Sequence, residues 1–141
     1  MRLVTIIALL LGACGPGGEG YTPPPTWKSE DLIGMWTLIP DDNHPVLILE
    51  FQDDEWDIFN MYSEVRLRRV WDVEWNRIRI FASHGDVTNN GIVDFGINFR
   101  DAVMPYAYFE GAMDEDKLGI NGMVYFWGDE SKPIGFTAEK L

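Results

Sequence analysis

The chain is 141 residues long and carries 23 acidic against 11 basic side chains, a formal net charge of −12. Nucleic acid and anionic lipid surfaces repel so acidic a body, so neither is an expected partner. A single cysteine allows no internal disulfide, and folding must rest on an apolar core, for which one domain of ordinary length suffices.

Arg2 precedes an apolar stretch from Leu3 to Leu11 and the small residues Gly12 and Ala13, the pattern of a secretion signal. The stretch is about half the roughly 20 apolar residues that a bilayer-spanning helix needs. Leu11-Gly12-Ala13-Cys14 resembles the bacterial lipobox, with Leu11, Gly12 and Ala13 filling the positions before the modified cysteine. The resemblance implies that residues 1–13 are a lipoprotein signal peptide and that Cys14 carries a diacylglycerol and an N-acyl chain. Two or more chains anchor stably where one does not. An ordinary signal peptide with an incidental cysteine is the alternative. Gly15 follows Cys14 where inner-membrane retention is associated with aspartate, so the same resemblance implies the outer membrane of the bacterial cell envelope.

Gly15 to Thr26 is a glycine-rich half followed by a proline-rich half, flexible and then stiff. Fully extended it reaches about 40 Å, enough to hold a small domain clear of lipid headgroups. Residues 14–26 therefore read as lipidated cysteine and tether, and 27–141 as the folded body. Without Arg2 that body sets ten basic against 23 acidic residues.

The body reads as short strands. After Met35 to Ile39 come Val46 to Phe51, Trp56 to Tyr62, Val65 to Trp75, Ile78 to Ala82, Ile92 to Phe99, Tyr106 to Met113, Leu118 to Trp127 and Gly135 to Leu141. They are rich in β-branched and aromatic residues and are separated by turn clusters such as Asp41-Asp42-Asn43-His44-Pro45 and Asn89-Asn90-Gly91. The spacing predicts an all-β fold, a small antiparallel up-and-down barrel of about eight to nine strands. No glycine or proline falls between Pro45 and Gly85, so backbone chemistry also permits a helix over Asp53 to Trp75. The strict alternation of Val65, Leu67, Arg69, Trp71, Val73 and Trp75 with polar neighbours favours a strand there.

That alternation places Arg69 on the apolar face between Leu67 and Trp71. A buried guanidinium is costly unless paired. One reading puts Arg69 in a barrel lumen, meeting an anionic ligand group, with Trp71 and Trp75 as walls. The others are a β-bulge at Arg68-Arg69 that turns it outward, or an ion pair with a carboxylate such as Glu110, which shares the parity of Tyr106 and Tyr108.

Gly34-Met35-Trp36, entering the first strand behind Ser29-Glu30-Asp31, resembles the Gly-x-Trp signature of lipocalins and the wider calycin group. The resemblance implies that Trp36 plugs the closed end of the barrel and stacks against a basic residue near the end of the chain, here Lys140 where the family usually has arginine. Gly122 to Gly128 followed by Ile134-Gly135-Phe136 is also similar to the closing hairpin of transferrin-binding-type lipoprotein barrels, although the final glycine doublet of that pattern is absent. This second likeness implies capture of a protein.

Chemical constellations are thin. Asp86 to Asp94 has the oxygen spacing of a calcium loop, but Ile97 stands where a bidentate carboxylate is needed, so a polar hairpin loop closing on Asn90-Gly91 is the better reading. His44 and His84 are too few for a histidine-rich metal site, and the serines lack a nucleophile elbow. Neither metal, cofactor nor catalytic residue is expected, and the protein reads as a non-enzyme.

Two functions follow. One is a lipid-anchored lipocalin-like barrel binding a small apolar or amphipathic ligand through Trp36, Arg69, Trp71, Trp75, Tyr106, Tyr108 and Glu110. The other is an envelope or surface interaction protein whose acidic exterior binds another protein around a packed lumen. Lumen volume separates them.

Overall fold

The computed structural model describes residues 23–54, 64–81, 83–100 and 106–141. A 3₁₀ turn, Ser29–Leu32, leads into ten strands: β1 Gly34–Pro40, β2 Leu47–Asp54, β3 Glu64–Asp72, β4 Arg77–Ile78, β5 Ile80–Phe81, β6 Ser83–Val87, β7 Ile92–Phe99, β8 Tyr106–Met113, β9 Gly119–Phe126 and β10 Ile134–Lys140. All pairings are antiparallel, in the order β2-β1-β10-β9-β8-β7-β6-β3, and β2 pairs β3 to close the ring. The result is a closed eight-stranded up-and-down barrel, with β4 and β5 as two extra strands on β3 and β7. Its form is compatible with a lipocalin-like fold.

Closure leaves no sheet edge among the eight strands, and the period of two sends alternate side chains inward. The core is made of Trp36 and Leu38 from β1, Leu47, Leu49 and Phe51 from β2, Val65, Leu67 and Val70 from β3, and Phe95, Phe109, Val124 and Phe136 from the far wall, with their neighbours. An aromatic chain crosses the lumen. Phe51 meets Phe95 edge to face at 5.3 Å, Phe95 stacks on Phe109 at 4.7 Å, and Phe109 meets Phe136 edge to face at 5.5 Å. Each such pair adds about 0.5–1.5 kcal/mol beyond its burial. Phe136 pairs with Gly122, and a Cβ on Gly122 would run into the carbonyl oxygen of Glu110, so this position admits only glycine beside the ring.

Several expected elements differ from what forms. The strand foreseen to Trp75 ends at Asp72, whose carboxylate accepts the amides of Glu74 and Asn76 and closes a turn with Trp75 at φ 63°. In place of one strand from Ile78 to Ala82, the described residues form two short ones on different neighbours, and Ala82 lies outside the described residues. Ser83–Val87 is a strand, so Asp86 faces Asp94 across a ladder instead of sharing a loop with it. The hairpin does turn on Asn90-Gly91, with Gly91 at φ 83°. Glu64–Asp72 is strand where a helix was permitted, while the strand expected over Trp56 to Tyr62 lies outside the described residues.

One end of the barrel is sealed. Trp36 is fully buried, and its indole donates to the Leu32 carbonyl at 2.8 Å. Lys140, its partner in the β1–β10 register, holds Nζ 5.5 Å from the Trp36 ring and donates to the Asp31 carbonyl at 3.1 Å. The Asp31 carboxylate pairs with Lys117 Nζ at 3.0 Å and accepts the Lys28 amide. Burial pushes the Asp31 carboxyl up, but the Lys28 amide and the Lys117 ammonium outweigh it, and the net shift is downward.

Candidate functional site

The other end of the barrel is its mouth. There β1 ends, the Asp41 to Val46 bend crosses to β2, β7 ends, and β9 and β10 meet their connecting turn. A cavity of about 130 Å³ opens here, lined by Leu38, Pro40, Leu47, Phe109, Phe126 and Ile134, with Ile78, Phe99, Ala107 and Val124 completing the wall. Phe109 is shared: it stacks on Phe95 within the aromatic chain and also borders the cavity. His44 reaches over the mouth and stacks on Phe126 at 5.0 Å. The Asp42 carboxylate holds His44 in place by accepting its amide at 2.9 Å and contacting its Nδ1 at 2.7 Å. The His44 amide outweighs a small opposing desolvation and draws the Asp42 carboxyl below its ordinary value.

The lining is almost wholly hydrocarbon, so what the cavity presents is shape and apolarity. Ligand pockets for drug-sized molecules run to about 300 Å³ or more, whereas a cavity of roughly 150 Å³ lined by apolar side chains stays dry and takes benzene. The mouth therefore has room for one ring or a short alkyl segment.

Of the residues singled out from sequence, Trp36 alone is inside, as the floor of the sealed end. Arg69 is not in the lumen. Opposite Glu50 and Phe51 the register jumps from Arg69 to Leu67, so Arg68 is a bulged residue and the parity of β3 inverts there. Val70 turns inward instead, and Arg69 is exposed, its Nε 3.5 Å from Glu50, not Glu110. The same inversion puts Trp71 outside, against the exposed Trp75 at 6.0 Å.

Tyr106, Tyr108 and Glu110 do come together, on the outer wall. With Tyr125, Trp127 and Glu130 they line a groove of about 360 Å³. Tyr125, Trp127 and Glu130 were not anticipated, although the β8–β9 register, which sets Tyr108 opposite Tyr125, follows from a hairpin turning over Asp114 to Leu118. Below the groove, Asp86, Asp94 and Glu110 form a cross-strand row. Burial, then the charges of Asp86 and Glu110, raise the Asp94 carboxyl, although the Tyr108 hydroxyl donates to it. Burial and the same carboxylates raise Tyr108. Among the described residues, no three His, Cys, Asp or Glu side chains are arranged to hold a metal.

No protein-family model matches the chain, and no curated protein matches it.

Proposed function

We propose that the chain is a lipid-anchored lipoprotein of the bacterial cell envelope, in the outer membrane, whose lipocalin-like barrel receives a small apolar or amphipathic ligand at its mouth. The apolar cavity beside Phe109 and Phe126 carries the binding part of this reading. Leu11 to Cys14 carries the anchoring part. A ring or short alkyl group enters the cavity, and any polar remainder stays at the rim, beside His44 and Asp42. Nothing in the reading requires catalysis.

Titration with benzene and with hexanoate, followed by methyl NMR, tests the binding. The expected result is saturable shifts at Leu38, Leu47, Ile78 and Ile134. Shifts that never saturate with either probe would contradict it. Metabolic labelling with a fatty-acid analogue tests the anchor, since Cys14→Ser should abolish incorporation.

A second reading draws on the outer groove. Tyr106, Tyr108, Tyr125 and Trp127 gather large aromatic surface beside two glutamates, the composition of a protein-binding patch. Under that reading Trp127→Ser weakens capture of an envelope or surface protein, and filling the mouth does not.

A further inference from the structure

All arginines beyond Arg2 fall between Arg66 and Arg100, and the fold gathers four of them, Arg68, Arg77, Arg79 and Arg100, around one cleft of about 550 Å³ with Ile78 and Ile80 at its base. The cleft has a backbone cause. β3 pairs β6 as far as Leu67 opposite Ser83, and resumes on β4 with Val70 opposite Ile78. Three residue steps on β3 thus face five on the other side, and in that interval β5 leaves β3 to pair only with β7. The wall is locally unlaced there, and Arg68 is the bulged residue at its edge.

Arg100 is also held in place. The Arg100 guanidinium lies 4.6 Å from the Phe81 ring centroid, and the Arg100 amide donates to the Arg79 carbonyl at 3.1 Å, clasping the two residues across the β5–β7 pair. Among the described residues, the ion pairs do not involve Arg77, Arg79 or Arg100. In a chain of net charge −12, carboxylates are plentiful, yet Arg77, Arg79 and Arg100 converge on the cleft without a salt bridge to one among the described residues.

We propose that this cleft is an anion site that takes a phosphoryl group. A planar carboxylate presents two oxygens, which one guanidinium fork satisfies. A phosphoryl group presents three in a tetrahedral arrangement and can accept from guanidiniums on separate strands at once. The bulk negative charge still repels extended anionic surfaces, so the cleft selects a single compact anion. Ile78 borders both this cleft and the apolar cavity, so the phosphoryl group can belong to a soluble phosphate or to a lipid whose chain lies across the wall.

Calorimetry on the full chain in non-ionic detergent, at about 0.15 M salt to screen exposed charges, tests the site with inorganic phosphate and with dihexanoyl phosphatidic acid. Saturable binding is expected, weakened at least about tenfold by Arg79→Gln and by Arg100→Gln. Lys132→Gln, which removes an equal charge elsewhere, should leave it unchanged. Arg79→Lys, which keeps the charge and loses the fork, should fall between. Equal affinity for the two probes assigns a soluble phosphate, and markedly tighter binding of phosphatidic acid assigns a lipid headgroup. Failure of the wild-type chain to bind either probe, or equal weakening by Lys132→Gln, overturns the proposal. Circular dichroism of each variant keeps misfolding distinct from lost binding.

Discussion

At the sealed end of the barrel a chain of polar groups is paired: the Trp36 indole on Leu32, Lys140 on Asp31, Asp31 on Lys117. At the mouth the walls are hydrocarbon around unfilled space, and among the described residues an exposed imidazole stacked on Phe126 covers it. Both ends belong to the same eight strands, so the difference lies in side chains and loops. Chain segments far apart in sequence are tied together at the first end, which stabilises the closed ring. The second end gives up packing energy by leaving a cavity, and a cavity costs stability in proportion to its volume. The contrast teaches that the fold concentrates its polar ties at one end and its unfilled apolar space at the other, which is the end the proposed function gives to binding.

Substitutions can break this contrast. Trp36→Ala should cost the most, about 3–5 kcal/mol in urea unfolding, because it empties the floor and strands the contacts of Lys140. Phe126→Ala at the mouth removes an aromatic ring too, but a half-buried one, and should cost about 1–2 kcal/mol. Equal losses at the two sites would dissolve the distinction. Lys140→Ala should cost about 1 kcal/mol, from its cation–π contact and its hydrogen bond to Asp31. Asp31→Asn should have the smallest effect, and a pH-dependent one. A carboxyl held below its usual value of 3.8 stabilises the fold fully above that value and loses the contribution as pH falls through its lowered folded value. Wild type should therefore exceed Asp31→Asn in thermal stability at pH 6, with the gap narrowing toward pH 3.

Much of this fold is legible from period and turn chemistry. β7, β8, β9 and β10 stand within a residue or so of where alternation and turn clusters put them, because each pairs over its full length with a chain neighbour. Trp36 and Lys140 at the sealed end are legible for a similar reason: Gly34-x-Trp36 and the end of the chain are local signals. β4, β5 and β6 are not, since two-residue strands exist only through the partners they meet, and Ser83–Val87 lacks the apolar alternation of a half-buried strand. Strict parity misplaces Arg69, Trp71 and Trp75, and of the readings open for Arg69 the bulge at Arg68-Arg69 that turns it outward is the one that forms. The sequence admits that bulge as one of three readings, and only the register against β2 selects it. The arginine cleft is hidden for the same reason, its members being spread from Arg68 to Arg100 and joined only by the break between β3 and β5.

The central claim, that the mouth cavity is a receptor and not a packing defect, is tested most directly by Ala107→Leu. Ala107 is fully buried on the cavity wall, and the larger side chain grows into the open space. Stability and hexanoate affinity should be measured on the same preparation. The account predicts stability within about 1 kcal/mol of wild type and loss of saturable binding. Unchanged binding in a stably folded Ala107→Leu protein would contradict it.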